Sequence, residues 1–358
     1  MAAAQDSSEF CEAFPMNGGD GPNSYANNST VQGKYVDFAK QLTVKEIAEK
    51  LDIEIFRSSN TFRIADLGCS VGPNTFSVVE TILEAVQLKY QSNMMNSQFP
   101  EFQVFFNDHT ANDFNTLFKS LPRNRRYYAA GVPGSFHGRI FPNASIHFFY
   151  SSFTVHWLSR VPKDVADRYS PAWNKGRIEY SNSTDEVVRA YEAQHAEDME
   201  CFLNARAQEI VRGGLMVLIV PGRPNGTPHL ASATFQLLGA CLMEMVRKGV
   251  ILEERVDSFN VPMYFTSAQE LEAVVEQNGC FSIERMEHLP HMNVDDSVLA
   301  NFASHLRAIL EGLIKQHFGE EILDELFDLY SKKFEEQRFM IESGRTIQFF
   351  VALKRKEI

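Results

Sequence analysis

The sequence predicts an α/β fold, with helices packed around a mostly parallel β-sheet. Short apolar runs of strand length recur along the 358 residues, and helical stretches separate them. The first of these runs ends in Asp66 and is followed at once by a glycine turn, which is typical of a strand that leads into a helix. With 44% hydrophobic residues, the chain can bury the large core that such a fold requires.

The predicted strands alternate with predicted helices along most of the chain. The first helix is predicted over residues 31–51, where apolar side chains recur at helical spacing with Lys and Glu between them. The predicted strands cover residues 62–68, 103–109, 127–132, 144–151, 214–221, 281–287 and 346–354.

A second long helix is predicted from Ser183 to the glycine pair at 213–214. Ser183 and Glu186 have the spacing of a capping box, and a glycine pair is a common helix end. The last third of the chain is predicted to be mainly helical, because apolar residues recur at helical spacing over residues 306–314 and 322–330.

Three segments are longer than a minimal α/β domain needs: residues 160–182, 223–266 and 289–345. Insertions after strand ends lie over the sheet edge where ligands bind, so we expect these segments to form a helical cap above a substrate pocket. We expect residues 1–15 to be disordered and residues 16–358 to form one domain.

Composition and charge restrict the partners. The formal net charge of -12 argues against nucleic acid, because proteins that bind phosphate backbones concentrate Lys and Arg. The five cysteines are scattered and form no Cys-x-x-Cys pair, so neither a disulfide framework nor a zinc site is predicted. No apolar run approaches 18 residues, and the first fifteen residues lack the features of a secretory signal. We therefore expect a cytoplasmic protein with no nucleic-acid or membrane partner.

The glycine turn at residues 66–75 predicts a nucleotide-like cofactor. Gly68 and Gly72 tolerate backbone angles closed to other residues and let a ligand approach the main chain. A dinucleotide site would need Gly-x-Gly-x-x-Gly with an acidic residue about 20 positions later. Here the acidic residue precedes the glycines and no phosphate-binding Lys follows, which favours S-adenosylmethionine over NAD or ATP. A plain strand–turn–helix connection is the alternative.

Two further strand ends carry residues that suit the same cofactor. Asp108 ends the second predicted strand, where a carboxylate can accept hydrogen bonds from both ribose hydroxyls. Residues 131–138 follow the third strand, and small residues there surround Phe136, an apolar wall for a base. Ser135 lies in Gly-Ser-x-x-Gly, which is not the Gly-x-Ser-x-Gly of a hydrolase nucleophile. A solvated Asp108 and an ordinary glycine turn are the alternatives.

The fourth strand end carries His156 next to Trp157. Adjacent imidazole and indole rings at the carboxyl edge of the sheet are suited to clamping a substrate, although such a pair is also common in protein cores. Residues 23–29 precede the first helix and are rich in Asn and Ser, which is typical of a helix N-cap region.

Together these segments resemble the plant SABATH family of S-adenosylmethionine-dependent methyltransferases, in particular its loganic and farnesoic acid group. The resemblance covers the chain from about residue 14 to its end. The motifs that carry it are Met-Asn-Gly-Gly at 16–19, Asn-Ser-Tyr-Ala-Asn-Asn-Ser at 23–29, Ala-Asp-Leu-Gly-Cys-Ser at 65–70, Gly-Pro-Asn-Thr at 72–75, Phe-Asn-Asp at 106–108, Val-Pro-Gly-Ser-Phe at 132–136, His-Trp-Leu-Ser at 156–159 and Asp-Ser-Phe-Asn-Val-Pro at 257–262.

The resemblance implies a Rossmann-like class I methyltransferase sheet with a mainly helical cap, and a homodimer. It implies that Gln32, His156 and Trp157 act on the substrate. The implied cofactor residues are Tyr25, Ser29, Asp66, Gly68, Cys69, Asn74, Asp108, His109, Ser135 and Phe136. The implied substrate-pocket residues are Phe153, Phe235, Tyr264 and Leu306. The implied magnesium ligands, present in part of the family, are Asn174, Asp257, the carbonyl of Phe259, and Asn260.

Family members methylate the carboxylate of a small plant acid or a ring nitrogen of a xanthine. His156 stands where the salicylate and jasmonate enzymes have Met, which favours a larger or more polar acid. A carboxylic acid is ionised at neutral pH and needs no general base, so positioning by Gln32 and Trp157 is expected to suffice. A ring nitrogen would need a base, and His156 is the candidate. A catalytically silent binder of a small acid is a third alternative, and the glycine spacing disfavours an NAD-dependent oxidoreductase.

Overall fold

A computed structural model describes residues 15–52, 54–57, 60–93, 99–226, 233–292, 301–342 and 347–357. The prediction that residues 1–15 are disordered therefore lies outside the described residues, apart from residue 15. Thr346, the first residue of the last predicted strand, also lies outside it. The elements are α1 (Tyr25–Asn28), α2 (Thr30–Lys50), α3 (Glu54–Arg57), β1 (Thr61–Leu67), α4 (Pro73–Asn93), β2 (Glu101–Asp108), α5 (Phe114–Lys119), β3 (Tyr128–Pro133), β4 (Ile146–Ser152), α6 (Lys163–Ala166), α7 (Asp185–Glu209), β5 (Ile210–Arg223), α8 (Ala233–Arg247), α9 (Glu253–Asp257), β6 (Thr266–Ser267), α10 (Ala268–Asn278), β7 (Phe281–His288), α11 (Phe302–Phe318), α12 (Leu323–Glu342) and β8 (Ile347–Arg355).

The strands form one sheet in the order β3-β2-β1-β4-β5-β8-β7, with the short β6 beside β5. Pairing is parallel from β3 through β5, and β8 runs antiparallel to both of its neighbours. Strand order reverses between β1 and β4, and ligands of open α/β sheets bind outside the carboxyl ends of the strands at such a point. The predicted α/β fold with a mostly parallel sheet is confirmed.

Register brings the predicted site residues to the same edge of the sheet. Leu67 is level with Asn107 on β2 and with Ser151 on β4, and Asp108 is level with Pro133 on β3. The ends of four parallel strands therefore meet at the glycine turn.

The core has three main parts. One apolar cluster packs under α2 and α4 on one face of the sheet, and a second packs under α7 and α10 on the other. A third is formed largely by α8, α11 and α12, and Trp157 and Phe265 pack against it. This third cluster belongs to the segments predicted to form the cap. Among the described helices, none has the length and apolar character needed to cross a bilayer.

Two boundary predictions for α7 are wrong. The helix begins at Asp185 with Thr184 as its N-cap residue, and the Ser183 hydroxyl instead donates to Asn174 Oδ1 at 2.6 Å. It ends at Glu209 because the chain continues directly into β5, where Gly213 takes a φ of 72° within the strand. A genuine capping box occurs at α10, between Ser267 and Glu270.

Candidate active site

The glycine turn after β1 is a tight loop that is fastened to β2. Gly68 has a φ of 79° and Ser70 a φ of 49°, so both lie in the left-handed region. A Cβ on Gly68 would lie 2.4 Å from Thr154 Oγ1. The N–H groups of Gly68 and Cys69 donate to the Asn107 carbonyl at 2.9 and 3.0 Å. The turn thus requires glycine for both its conformation and its packing.

Two buried carboxylates lie at this turn. Asp108 Oδ2 accepts from the Ser70 N–H at 2.8 Å, and its Oδ1 accepts from the His109 N–H at 2.8 Å. The Thr75 hydroxyl donates to Asp66. Burial raises the pKa of Asp66 to about 7 and also raises that of Asp108. Both groups are therefore strongly desolvated.

The protein balances the acidic charge at the turn only in part, because His109 is the cationic group that lowers the pKa of Asp108. Burial raises the pKa of the Tyr25 hydroxyl, and the nearby charges of Asp108 and Asp66 raise it further. Within the described part of the chain, no Lys or Arg forms an ion pair with either carboxylate. An organic cation bound at the turn would supply the missing charge.

The loop after β3 is held against β2. Asn107 Nδ2 donates to the carbonyls of Val132 and Gly134 at 2.8 and 2.9 Å, and the Gly134 N–H donates to the Asp108 carbonyl at 2.9 Å. Phe136 follows and is buried, with its ring centroid 4.5 Å from that of His137. The Ser135 hydroxyl accepts from the His137 N–H at 3.4 Å. The predicted adenine loop therefore adjoins the predicted ribose carboxylate.

The segment at residues 23–29 closes over the glycine turn. Ser24 caps the short α1, and its side chain accepts from the Asn27 N–H. The helix predicted to follow this segment is α2, and its N-cap residue Ser29 forms no side-chain cap. Asn74 Nδ2 donates to the Ser29 carbonyl and hydroxyl, both at 3.1 Å. A Cβ on Gly72 would lie 3.5 Å from Ala26 Cα, which shows how closely the two segments approach.

The loop after β4 carries the predicted substrate residues. Phe153 has a φ of 56°, which is unusual for a residue other than glycine, and its ring packs on Tyr35 with centroids 5.9 Å apart. Tyr35 lies one helical turn after Gln32 on α2, so that face of α2 is directed towards the loop. His156 and Trp157 follow, with ring centroids 5.9 Å apart.

The predicted pocket residues divide into two groups. Phe235 and Leu306 belong to the third apolar cluster, against which Trp157 packs. Tyr264 is instead buried in a separate cluster, where it stacks on Tyr180 with centroids 5.2 Å apart. Its N–H donates to the His156 carbonyl at 2.8 Å. Tyr264 thus contacts the loop through its backbone, and its side chain packs in a different cluster from those of Phe235 and Leu306.

Several buried polar atoms along this edge have no hydrogen-bond partner among the described residues. They include Gln32 Oε1, Ser70 Oγ, Asn112 Oδ1 and His156 Nδ1. Burial lowers the pKa of His156 to about 3, with a smaller contribution from His195, so the ring is neutral at pH 7. Buried polar atoms in native proteins are nearly always paired, so these four atoms are candidate contacts for a polar ligand or for water.

The structure also brings to this edge five polar residues for which no role was predicted. They are Ser70, Thr75, Asn107, Asn112 and Thr154, and each lies at a strand end or in the turn or helix that follows one. Their positions next to strand ends could have indicated them. Their partners could not be foreseen, because each hydrogen bond joins segments distant in sequence or turns back within a loop.

Three of the four residues predicted to bind a metal, Asn174, Asp257 and Asn260, already form hydrogen bonds with protein groups. Asn174 Nδ2 donates to Asn260 Oδ1 at 2.7 Å, and Asp257 Oδ1 accepts from the Gly176 N–H at 2.8 Å. The atom left without a partner, Asn260 Nδ2, is a donor and cannot be satisfied by a cation. The described residues contain no cluster of three or more His, Cys, Asp or Glu suited to a metal. The arrangement does not fit magnesium as it stands.

Comparison with known proteins gives consistent matches. A family model described as SAM dependent carboxyl methyltransferase matches residues 11–356. The chain is 48% identical to loganic acid O-methyltransferase of Catharanthus roseus, over 99% of this chain and 100% of that protein. It is 40% identical to farnesoic acid carboxyl-O-methyltransferase of Arabidopsis thaliana, over 96% and 99% of the two chains. A solved structure of loganic acid methyltransferase with SAH matches with a TM-score of 0.90 at 48% identity, covering 96% of this chain and 99% of that one.

Proposed function

Since the chain belongs to the SAM-dependent carboxyl methyltransferases and transfers a methyl group from S-adenosylmethionine to a carboxylate, we propose that its acceptor is a hydroxylated plant acid of the loganic acid type. The observation that carries the proposal is the set of buried polar atoms without partners beside the apolar cap, above all His156 Nδ1. An acceptor with hydroxyl groups as well as a carboxylate would satisfy them.

The acidic turn after β1 is suited in charge to S-adenosylmethionine. When bound, this cofactor supplies a methyl group that is already activated by a positively charged sulfur. Asp66 and Asp108 are buried without a Lys or Arg partner, so a ligand carrying a sulfonium and an ammonium group would stabilise their ionised forms. We assign cofactor binding to Tyr25, Ser29, Asp66, Gly68, Cys69, Asn74, Asp108, His109, Ser135 and Phe136.

Catalysis in this proposal consists of positioning and exclusion of water. The acceptor carboxylate is ionised at neutral pH, so no protein group needs to remove a proton. Gln32 and the Trp157 indole N–H would hold one carboxylate oxygen and direct the other at the methyl group. The apolar cluster around Phe235 and Leu306 would keep water from the carboxylate.

The state of His156 argues against the xanthine alternative. A general base works best when its pKa is near the operating pH, and burial holds the pKa of His156 at about 3. A neutral imidazole of this kind is suited to a hydrogen bond with an acceptor hydroxyl. We therefore assign His156 to recognition of the acceptor.

Three predictions concern features outside the methyl transfer itself: the oligomeric state, the location in the cell and the metal. We propose a homodimer because of the family resemblance, and sedimentation velocity would test it. A cytoplasmic location likewise stays a prediction, which expression as a fluorescent fusion would test. We leave magnesium out of the reaction, because Asp257 is the one charged side chain among the four predicted ligands, and the side chains of Asn174 and Asn260 already hydrogen-bond to protein groups.

The proposal is tested by an acceptor screen with labelled S-adenosylmethionine and loganic, farnesoic and benzoic acids and a xanthine. We expect a methyl ester of loganic acid, with kcat/KM at least about tenfold above that for farnesoic acid, because an unpaired buried polar group costs about 1–3 kcal/mol. Equal or faster methylation of farnesoic acid would contradict the assignment of the acceptor.

Calorimetry with S-adenosylhomocysteine and NADH separates the remaining alternatives. Binding of S-adenosylhomocysteine without methylation of any acid would indicate a silent binder. Binding of NADH alone would contradict the cofactor assignment. A His156→Met variant provides the matched test of recognition, since Met has a similar volume but accepts only weak hydrogen bonds. We expect it to reduce the preference for loganic over farnesoic acid.

A further inference from the structure

Helix α7 (Asp185–Glu209) carries buried charged residues that the proposed reaction does not use. His195, Asp198, Phe202, Arg206 and Glu209 follow one another at intervals of three or four residues, so they lie on one face of the helix. Asp198 is 4% exposed, and Arg206 and Glu209 are 0% exposed. Burial of charge is costly, so each of these groups is expected to have a specific partner.

The partners of Asp198 lie in the loop that carries Trp157. Asp198 Oδ2 accepts from the Ser159 N–H at 2.8 Å, and its Oδ1 accepts from the Ser159 hydroxyl at 2.6 Å. Gln194, one turn earlier, donates to the same carboxylate at 3.0 Å. Ser159 is two residues after Trp157, so Asp198 holds the far end of the Trp157 segment, which a backbone bridge to Met263 also holds. The Asp198 carboxylate also faces His137.

The partners of Arg206 and Glu209 lie in the loop that carries Phe136. Arg206 donates to the Phe136 carbonyl at 2.6 Å and to the Gly138 carbonyl at 2.8 Å. Its remaining hydrogen bonds go to Glu209 Oε2 at 2.7 Å. Glu209 Oε1 in turn accepts from the N–H groups of Ile140 and Phe141 at 2.5 and 2.9 Å. The pair thus holds four backbone groups of one loop.

These two sets of contacts are about two helical turns apart on a rigid element, a separation of about 12 Å. Direct displacement requires the methyl group and the carboxylate oxygen to meet within a few tenths of an ångström of the right geometry. Both loops are attached to the same helix. Each is attached mainly through its own side chains, and Asp198 also faces His137, the residue after Phe136.

We propose that α7 aligns the two substrates of the reaction through two separate positioning sets: Asp198 fixes the acceptor loop, and the Arg206–Glu209 pair fixes the cofactor loop. This inference rests on the proposed roles of Trp157 and Phe136. None of the three residues touches the reacting atoms, so each acts through the backbone that it holds.

The test is a pair of conservative variants with opposite readouts. In Asp198→Asn the amide nitrogen cannot accept from Ser159, so KM for the fastest acid of the acceptor screen should rise at least tenfold. The Kd for S-adenosylhomocysteine should stay within threefold. In Arg206→Lys the charge remains but the fork that reaches two carbonyls is lost, so the Kd for S-adenosylhomocysteine should rise at least tenfold. The acid KM, measured at saturating cofactor, should stay within threefold.

Matched controls lie on the exposed face of the same helix. Asp185→Asn and Arg189→Lys make the same chemical changes at exposed positions, and Arg189 pairs only with Glu186 among its described neighbours. We expect neither control to change KM or Kd by more than twofold. Ser159→Ala and Glu209→Gln repeat the two tests from the partner side, should either first variant fold poorly.

The possible results distinguish a failure of the inference about α7 from a failure of the proposed function. A purely structural role would lower the melting temperature and the active fraction while leaving both KM and Kd unchanged, which would overturn the inference. Equal shifts of KM and Kd in both variants, or failure of all four variants to fold, would also overturn the inference. If the parent enzyme binds no S-adenosylhomocysteine and methylates no acid, the proposed function fails instead.

Discussion

Replacement of Gly68 by Ala tests why the turn after β1 requires a glycine at this position. Two separate penalties are expected. Gly68 has a φ of 79°, a conformation that costs a residue with a Cβ about 1–2 kcal/mol. The new Cβ would also lie 2.4 Å from Thr154 Oγ1 and 2.5 Å from its Cγ2, a contact that must be relieved by movement.

Gly249 provides a matched control for the first penalty. Its φ is 75°, and a Cβ there would meet no atom within 4 Å. Gly249→Ala should therefore cost only the conformational term, about 1–2 kcal/mol. Gly68→Ala adds overpacking of about 1–3 kcal/mol, which gives a total of about 2–5 kcal/mol. The difference between the two variants measures the contact with Thr154.

The assay combines denaturant unfolding of the ligand-free enzyme with calorimetry of S-adenosylhomocysteine binding. Gly68→Ala should unfold at a clearly lower denaturant concentration than Gly249→Ala and lose cofactor affinity, whereas Gly249→Ala should bind normally. In a Thr154→Ala background the extra cost of Gly68→Ala should shrink towards that of the control. If Gly68→Ala is no less stable than Gly249→Ala, our account of the turn is refuted.

Three further predictions follow from the site. Trp157→Phe keeps an aromatic ring but removes the indole N–H, so KM for the acid should rise at least about tenfold in steady-state assays while S-adenosylhomocysteine affinity is unchanged. Burial lowers the pKa values of His147, His156 and His195 to about 4, 3 and 3, while that of Asp66 is raised to about 7. Between about pH 4 and 6.5 the unfolded state therefore binds about two more protons at these four groups. Their contribution should make the free energy of unfolding in denaturant titrations rise with pH by about 2.7 kcal/mol per unit. Treatment with EDTA, or addition of millimolar magnesium, should change neither the melting temperature nor the methylation rate by a measurable amount; a clear rise in melting temperature with magnesium would restore the metal site.

The sequence predicted the parts of this protein that depend on neighbours along the chain. The apolar runs around Asp66 and Asp108 became β1 and β2, and the edge at which they end became the candidate site. Strand and helix periodicity is a local property, and a glycine with positive φ leaves a recognisable turn, so both could be inferred from residues close together in sequence.

Predictions of helix boundaries from nearby residues were wrong where a segment distant in sequence contacts the same residues. Ser183 and Glu186 had the right spacing for a capping box, but the Ser183 hydroxyl donates to Asn174. Gly213 was expected to end a helix and instead lies inside β5, at the irregularity between Ile210 and Leu215, after which the strand pairs with both β4 and β8. In both cases contacts with distant segments decided the local structure.

By itself the sequence determined the order of strands and helices, the carboxyl edge at which a ligand binds, and the kind of cofactor suited to its acidic, glycine-containing turn. Only the tertiary structure decided that β8 inserts antiparallel between β5 and β7, that Tyr264 packs on Tyr180, and that Arg206 reaches the Phe136 carbonyl 70 residues away. The reason is physical. Secondary structure follows from short-range sterics and periodicity, whereas the burial of a charge depends on which distant backbone groups the completed fold brings within hydrogen-bonding range.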